Sequence, residues 1–204
     1  MNLQECLTKL ARGKLSNLSY CNGGFVKPEF FERVIDAINE SLSRLYTIFN
    51  INEESVLVTV EEGVATLPLK DKILYVTRVY DNFGQPYTIN NPEEKFNISV
   101  TARTLTAHVE EDIKNLQVFY RVKHKELTTE DLETDLEIPD NLIGALLSYA
   151  AYLLHSDMNT EVAIANAQKY LSEYQMVVNE VIQQGTINPD TLLLNKKFNS
   201  RGFI

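Results

Sequence analysis

Apolar residues recur at alternating three- and four-residue steps in the first fifty residues and again over 138–184. Between them lie short β-branched runs broken by turn residues. The first spacing puts side chains on one face of a helix, and the second kind of segment reads as strands. Leu3, Cys6, Leu7 and Leu10 share a face of a short helix over Asn2–Arg12 that ends at Gly13. An irregular LSNLSYCNGG segment follows, with a turn at Asn22-Gly23-Gly24. Pro28 opens a longer helix through about Asn50, with Glu29 and Glu32 where the helix dipole favours acids. Its apolar face is Phe31, Ile35, Ile38, Leu42, Leu45 and Phe49.

Residues 138–184 read as a helical hairpin. Pro139 suits a first helical turn, and from Leu142 to Leu154 only Gly144 and Ser148 interrupt an apolar or aromatic run. The run is too short to span a bilayer, so it is expected at the buried centre of a bundle, covered on all sides. Ser156 to Thr160 supplies a polar turn, with Asp157 and Asn159 among the possible N-caps. The second helix carries a packing seam of Ile164, Ala167, Leu171, Tyr174, Val178 and Val181 before the stop at Gly185.

The middle of the chain predicts six or seven short strands. These are Val56–Val60, Val64–Leu67, Lys72–Tyr80, Gln85–Ile89, Phe96–Val100, Thr104–Val109 and Leu116–Val122. Glu61-Glu62-Gly63 reads as a hairpin turn joining the first two, and Asp81-Asn82-Phe83-Gly84 as a second turn. Acidic Glu126–Asp140 reads as a solvated return linker. The fold class is therefore α+β, a four-helix bundle-like base with an inserted antiparallel sheet or sandwich. The expected divisions are 1–54 for the first helices, 55–127 for the insert, 128–185 for the closing hairpin and 186–204 for an extended arm.

Composition is that of an ordinary globular protein, 44% apolar and 23% charged. No charged n-region followed by an apolar h-region opens the chain, which predicts synthesis in the cytoplasm, and no membrane partner is expected. Cys6 and Cys21 make no disulfide framework. The net charge of −9 argues against nucleic acid as a primary ligand, although an acidic channel would let DNA pass without sticking.

Little in the sequence carries chemistry. His108, His124 and His155 are far apart in the chain and fit no metal-ligand spacing, and GxSxG, GxxxxGK[ST] and GxGxxG are absent. His155 ends a helix, where it compensates the dipole or is partly buried. Glu130, Asp131, Glu133 and Asp135 lack the alternating ligands and central glycine of a calcium loop. Tyr149, Tyr152, Tyr170 and Tyr174 sit at helical spacing and read as packing residues. No catalytic, cofactor or metal site is expected, and no enzyme.

After Gly185 the segment TINPDTLLLNKKFNSRGFI is too short for a core, yet it carries Leu192, Leu193, Leu194, Phe198, Phe203 and Ile204. It either folds back on its own bundle or docks on another chain, with Lys196, Lys197 and Arg201 pairing with acidic patches.

The opening LARGKLSNLSYCNGGFVKPEFFERVIDAINESLSRLYTIFNI, the VEEGVATLPLK hairpin, IPDNLIGALLSYAAYLLHS, AQKYLSEY and the short arm together resemble the head-to-tail adaptor (connector) proteins of short-tailed bacteriophages. The resemblance covers most of the chain and rests on segment order and apolar pattern. It implies a non-enzymatic ring subunit, commonly a dodecamer, in the virion neck beneath the portal. Such a ring extends the DNA channel and offers the tail or nozzle a docking surface. It also implies that the C-terminal arm reaches the portal protein. This chain departs from that family in the size of its β insert. Another phage neck or tail-completion protein, or a small cellular α+β binding module, are the other readings.

Overall fold

The computed structural model describes residues 1–185 apart from 71, 92, 94, 95 and 111. The chain forms two compact units, one from Met1–Ile51 with the chain from His124 onward, the other Asn52–Lys123.

In the helical unit, Asn2 caps helix α1 (Leu3–Arg12) by accepting from Glu5 N–H at 2.8 Å, and the Glu5 carboxylate accepts in return from the Asn2 N–H. This reciprocal box satisfies two of the donors that a helix start leaves free. Leu3, Cys6, Leu7 and Leu10 are all buried, as their spacing requires, and burial pushes the Cys6 thiol up to about 12. Strands β1 (Cys21–Asn22) and β2 (Phe25–Val26) form a small hairpin across Gly23 and Gly24, whose φ values of 59° and 83° only glycine adopts freely.

Pro28 begins a single 3-10 turn, and the α-helical ladder of α2 (Phe31–Ile48) starts three residues later. A similar 3-10 turn at Asp140–Leu142 leads into α3 (Ile143–Ser156). Helix α3 is the element against which α1, α2 and α4 (Glu161–Gln184) all pack, which explains why its sequence is apolar on every side. The N-cap of α4 is Thr160, whose hydroxyl accepts from Ala163 N–H at 3.2 Å. Of the caps expected from the sequence, Asp157 instead pairs with Arg33 at 2.9 Å. Gly185 closes α4 in the left-handed conformation, φ 61°.

The acidic segment 126–140 is not a solvated linker. Leu127 and Leu136 are buried in the helical core, with Leu132 and Ile138 packed against it. Its backbone pairs with the start of α1, since Leu3 N–H donates to Thr134 O at 3.1 Å and Gln4 N–H to Leu132 O at 2.9 Å. Leu127, Leu132 and Leu136, spaced among the acids, set the path of the segment.

The β unit holds β3 (Glu53–Thr59), β4 (Val64–Pro68), β5 (Ile73–Asp81), β6 (Pro86–Tyr87), β7 (Asn97–Val100), β8 (Thr104–His108) and β9 (Asn115–Val122). They form two antiparallel sheets, ordered β3-β9-β5-β6 and β4-β8-β7. Val58, Val76, Val79, Leu116 and Val118 of the first share one core with Ala65, Ile98, Leu105 and Ala107 of the second, which makes a sandwich. The turn at Glu62 and Gly63 is real, with φ of 51° and 76° and two 2.9 Å bonds between Glu61 and Val64. The hairpin expected beyond it is not. After that one bridge β3 pairs with β9 and β4 with β8, so the turn carries the chain from one sheet to the other. The unit runs from 52 to 123, where the sequence placed an insert at 55–127. Asn52 O accepts from Val122 N–H at 3.3 Å, whereas Leu127 belongs to the helical core.

Candidate interaction surfaces

Five of the six residues of the expected seam on α4 are buried or half-buried, and the sixth is not. Ala167, Tyr174, Val178 and Val181 are buried, Leu171 is half-buried, and Ile164 is 50% exposed. The true inner line begins at Ala163, one residue earlier. At about 100° per residue Ile164 is turned a quarter of the way round the helix from it. Alanines at 163 and 167 leave room for the neighbouring helix, and the larger isoleucine is left outside. The candidate docking residues Leu192, Leu193, Leu194, Lys196, Lys197, Phe198, Arg201 and Phe203 lie outside the described residues.

Three of the four helical tyrosines meet, Tyr149, Tyr152 and Tyr174. The Tyr149 ring centroid lies 4.8 Å from that of Tyr174 and 5.5 Å from that of Tyr152. With Arg44 and Ile48 of α2 and Leu171 and Gln175 of α4 they border an open groove of about 450 Å³. Burial raises the Tyr174 hydroxyl above the ordinary tyrosine range, partly offset by Arg44. Burial likewise raises Tyr149. Tyr170 is placed differently, donating to the Lys14 carbonyl at 3.1 Å beneath the Lys14 ammonium.

The histidines occupy three separate settings. His108 is exposed on β8. His124 accepts or donates at Ser43 Oγ, 2.8 Å from Nε2, and its Nδ1 lies 2.8 Å from Lys125 O. His155 is only 1% exposed, more deeply buried than its place at a helix end implied, with Nε2 3.0 Å from Lys14 O. Among the described residues no three His, Cys, Asp or Glu side chains are grouped to hold a metal ion. Asp131 folds inward on its own loop, accepting from Thr128 and from Lys125 at 2.7 Å.

On the β unit, one sheet face carries Leu57, Arg78, Tyr80, Gln117 and Phe119 around a shallow depression. Arg78 pairs with Glu53 and stacks 4.9 Å from the Phe119 centroid, and Tyr80 meets Phe119 edge-on at 5.8 Å. Arg121 was not signalled by the sequence, because nothing in a strand's pattern marks an arginine as buried. It is 4% exposed and stacks on Tyr75 at 4.9 Å, while Nε and Nη1 have no hydrogen-bond partner. The aromatic face offsets part of the cost of that burial.

No protein-family model matches the chain, and no curated protein matches it at a significant level. Among solved structures it is similar to a chain in the neck of a native GTA particle computed with C12 symmetry. The identity is 10% and the TM-score 0.27, over 83% of this chain and 91% of that one. A chain in the neck of an empty GTA particle computed with C6 symmetry gives 10% identity and a TM-score of 0.26, over 83% and 92%. Scores this low describe a partial likeness of shape and carry no conclusion about what the chain does. No helix among the described residues is long and apolar enough to cross a membrane.

Proposed function

We propose that this chain is a structural, non-enzymatic head-to-tail adaptor of a tailed bacteriophage, one subunit of a ring in the virion neck. The ring sits beneath the portal, extends the DNA channel and offers the tail or nozzle a surface to dock on. The observation that carries the reading is the order of the units. Two helices from the front of the chain and two from the back build one core around α3, and a separate β sandwich is inserted between them. The same order of segments underlies the sequence resemblance to the adaptor family.

The net charge of −9 supports a channel role, since an acidic wall repels DNA and lets it move. In this reading the segment 186–204 docks on the portal through its leucines, phenylalanines and basic residues. Cryo-EM of the virion neck tests it. A ring of this chain directly below the portal is the expected result. Its absence from the neck, or its presence only at the distal tail, overturns the proposal.

A further inference from the structure

Helix α4 segregates its charges. Lys169, Glu173 and Glu180 lie along one flank, where Glu173 pairs with Lys14 and stands 3.9 Å from Lys169. The opposite flank begins at the exposed Glu161 in the first turn and then carries Ile164, Gln168, Leu171, Gln175, Asn179 and Ile182, with no charge from Ile164 to Ile182, about five helical turns. Ser172 and Met176, which is 62% exposed, extend it outward. Ile164 and Leu171 are the seam residues that the chain's own core uses least. The groove bordered by Tyr149, Tyr152 and Arg44 opens along this same flank, through Leu171, Gln175 and Asn179.

We infer that this uncharged flank, with the tyrosine groove beside it, is the face through which one copy of the chain packs against another. Depletion of charge with Tyr, Met and Arg present is the composition of an interface centre. The occupant follows from charge. Two copies each carrying −9 repel one another, so they approach best where neither presents an acid. A basic partner would instead be drawn to a face bearing acids, such as Glu173 and Glu180. The area also suffices. From Ile164 to Ile182 the flank is about 28 Å long, and with the groove between neighbouring helices the face is about 20 Å wide. That gives on the order of 600 Å², at the lower end of the ~600–1,000 Å² per partner of a specific contact.

The inference rests on the ring reading for its partner, and the test separates the two. A photo-crosslinking residue is placed at Gln175 in the full-length protein, and self-association is followed by sedimentation over a concentration series. The expected result is an intermolecular crosslink, with self-association weakened at least about tenfold by Gln168→Glu with Gln175→Glu. Both glutamines are exposed, so the variant keeps its fold, which circular dichroism verifies. Lys169→Glu, on the charged flank, is expected to leave association unchanged. Association equal in the wild type and the double variant overturns the face but leaves the ring reading standing. A crosslink from position 175 to the same molecule's residues 186–204 overturns it too, showing that the flank serves the chain's own arm. A protein that is monomeric at every concentration and gives no crosslink also overturns the inference, and assembly on portal then decides the ring reading separately.

Discussion

The side-chain amide of Asn39 closes two 2.9 Å hydrogen bonds with the backbone of Leu127, Nδ2 donating to the carbonyl and Oδ1 accepting from the N–H. Asn39 is buried on α2, and Leu127 stands where the chain re-enters the helical unit. One side chain thus satisfies both backbone groups of a buried residue that has no ladder of its own. Replacing Asn39 with Leu strands both groups and is expected to cost about 2–4 kcal/mol. Urea unfolding measures it. A loss below about 0.5 kcal/mol would mean that the segment is held elsewhere.

A second node gathers on the Lys14 carbonyl, which accepts from Tyr170 Oη and from His155 Nε2. The carbonyl can only accept, so the His155 proton lies on Nε2. His155→Ala leaves a cavity and removes one of the two hydrogen bonds to the Lys14 carbonyl, and is expected to destabilise by roughly 2–4 kcal/mol. His155→Gln keeps a donor and should lose less. His108→Gln, on an exposed strand position, should stay within about 0.5 kcal/mol. Chemical denaturation of the three variants checks this order, and equal stabilities would contradict it.

Acid acts on the 128–134 loop through Asp131. Its carboxyl is lowered from 3.8 to about 2, first by the hydrogen bond from Lys125 and then by those from Thr128. A depressed folded pKa means that the ionised form stabilises the loop. That contribution is complete above the unfolded value of 3.8 and is lost as pH falls through about 2. An NMR titration of the Asp131 carboxyl carbon should show a midpoint well below the usual aspartate range. Asp131→Asn should remove this step from the acid limb of the stability profile. A midpoint near 3.8 would show that the Lys125 contact is not made in solution.

Elements were far easier to read than their partners. All seven strands of the sandwich lie within a few residues of their expected places, because turn residues and β-branched runs are local signals. Pairing is not local. The Glu62-Gly63 turn has the backbone of a hairpin, and only the distant strands β8 and β9 decide that its two arms part. Periodicity likewise gave α4 a repeat without saying which side of it meets α3. Ile164 and Ala163 are adjacent in sequence, and the close approach of a neighbouring helix chose the smaller one. The Lys14, His155 and Tyr170 node, joined across 141 and 156 residues, had no sequence signal at all.

In the proposed reading this chain assembles on a portal through its C-terminal segment. Among the described residues the helical core reaches Val181, with Ile182 packed against it, and Gly185 caps α4; if the segment beyond serves docking, truncation after Gly185 should leave thermal unfolding nearly unchanged. The decisive measurement is the mass of purified portal mixed with full-length or truncated protein, followed by light scattering. The expected result is a rise with the full-length chain that corresponds to a ring of subunits on each portal, and no rise with the truncated one. A full-length protein that leaves the portal mass unchanged, or a truncated protein that binds equally well, would contradict it.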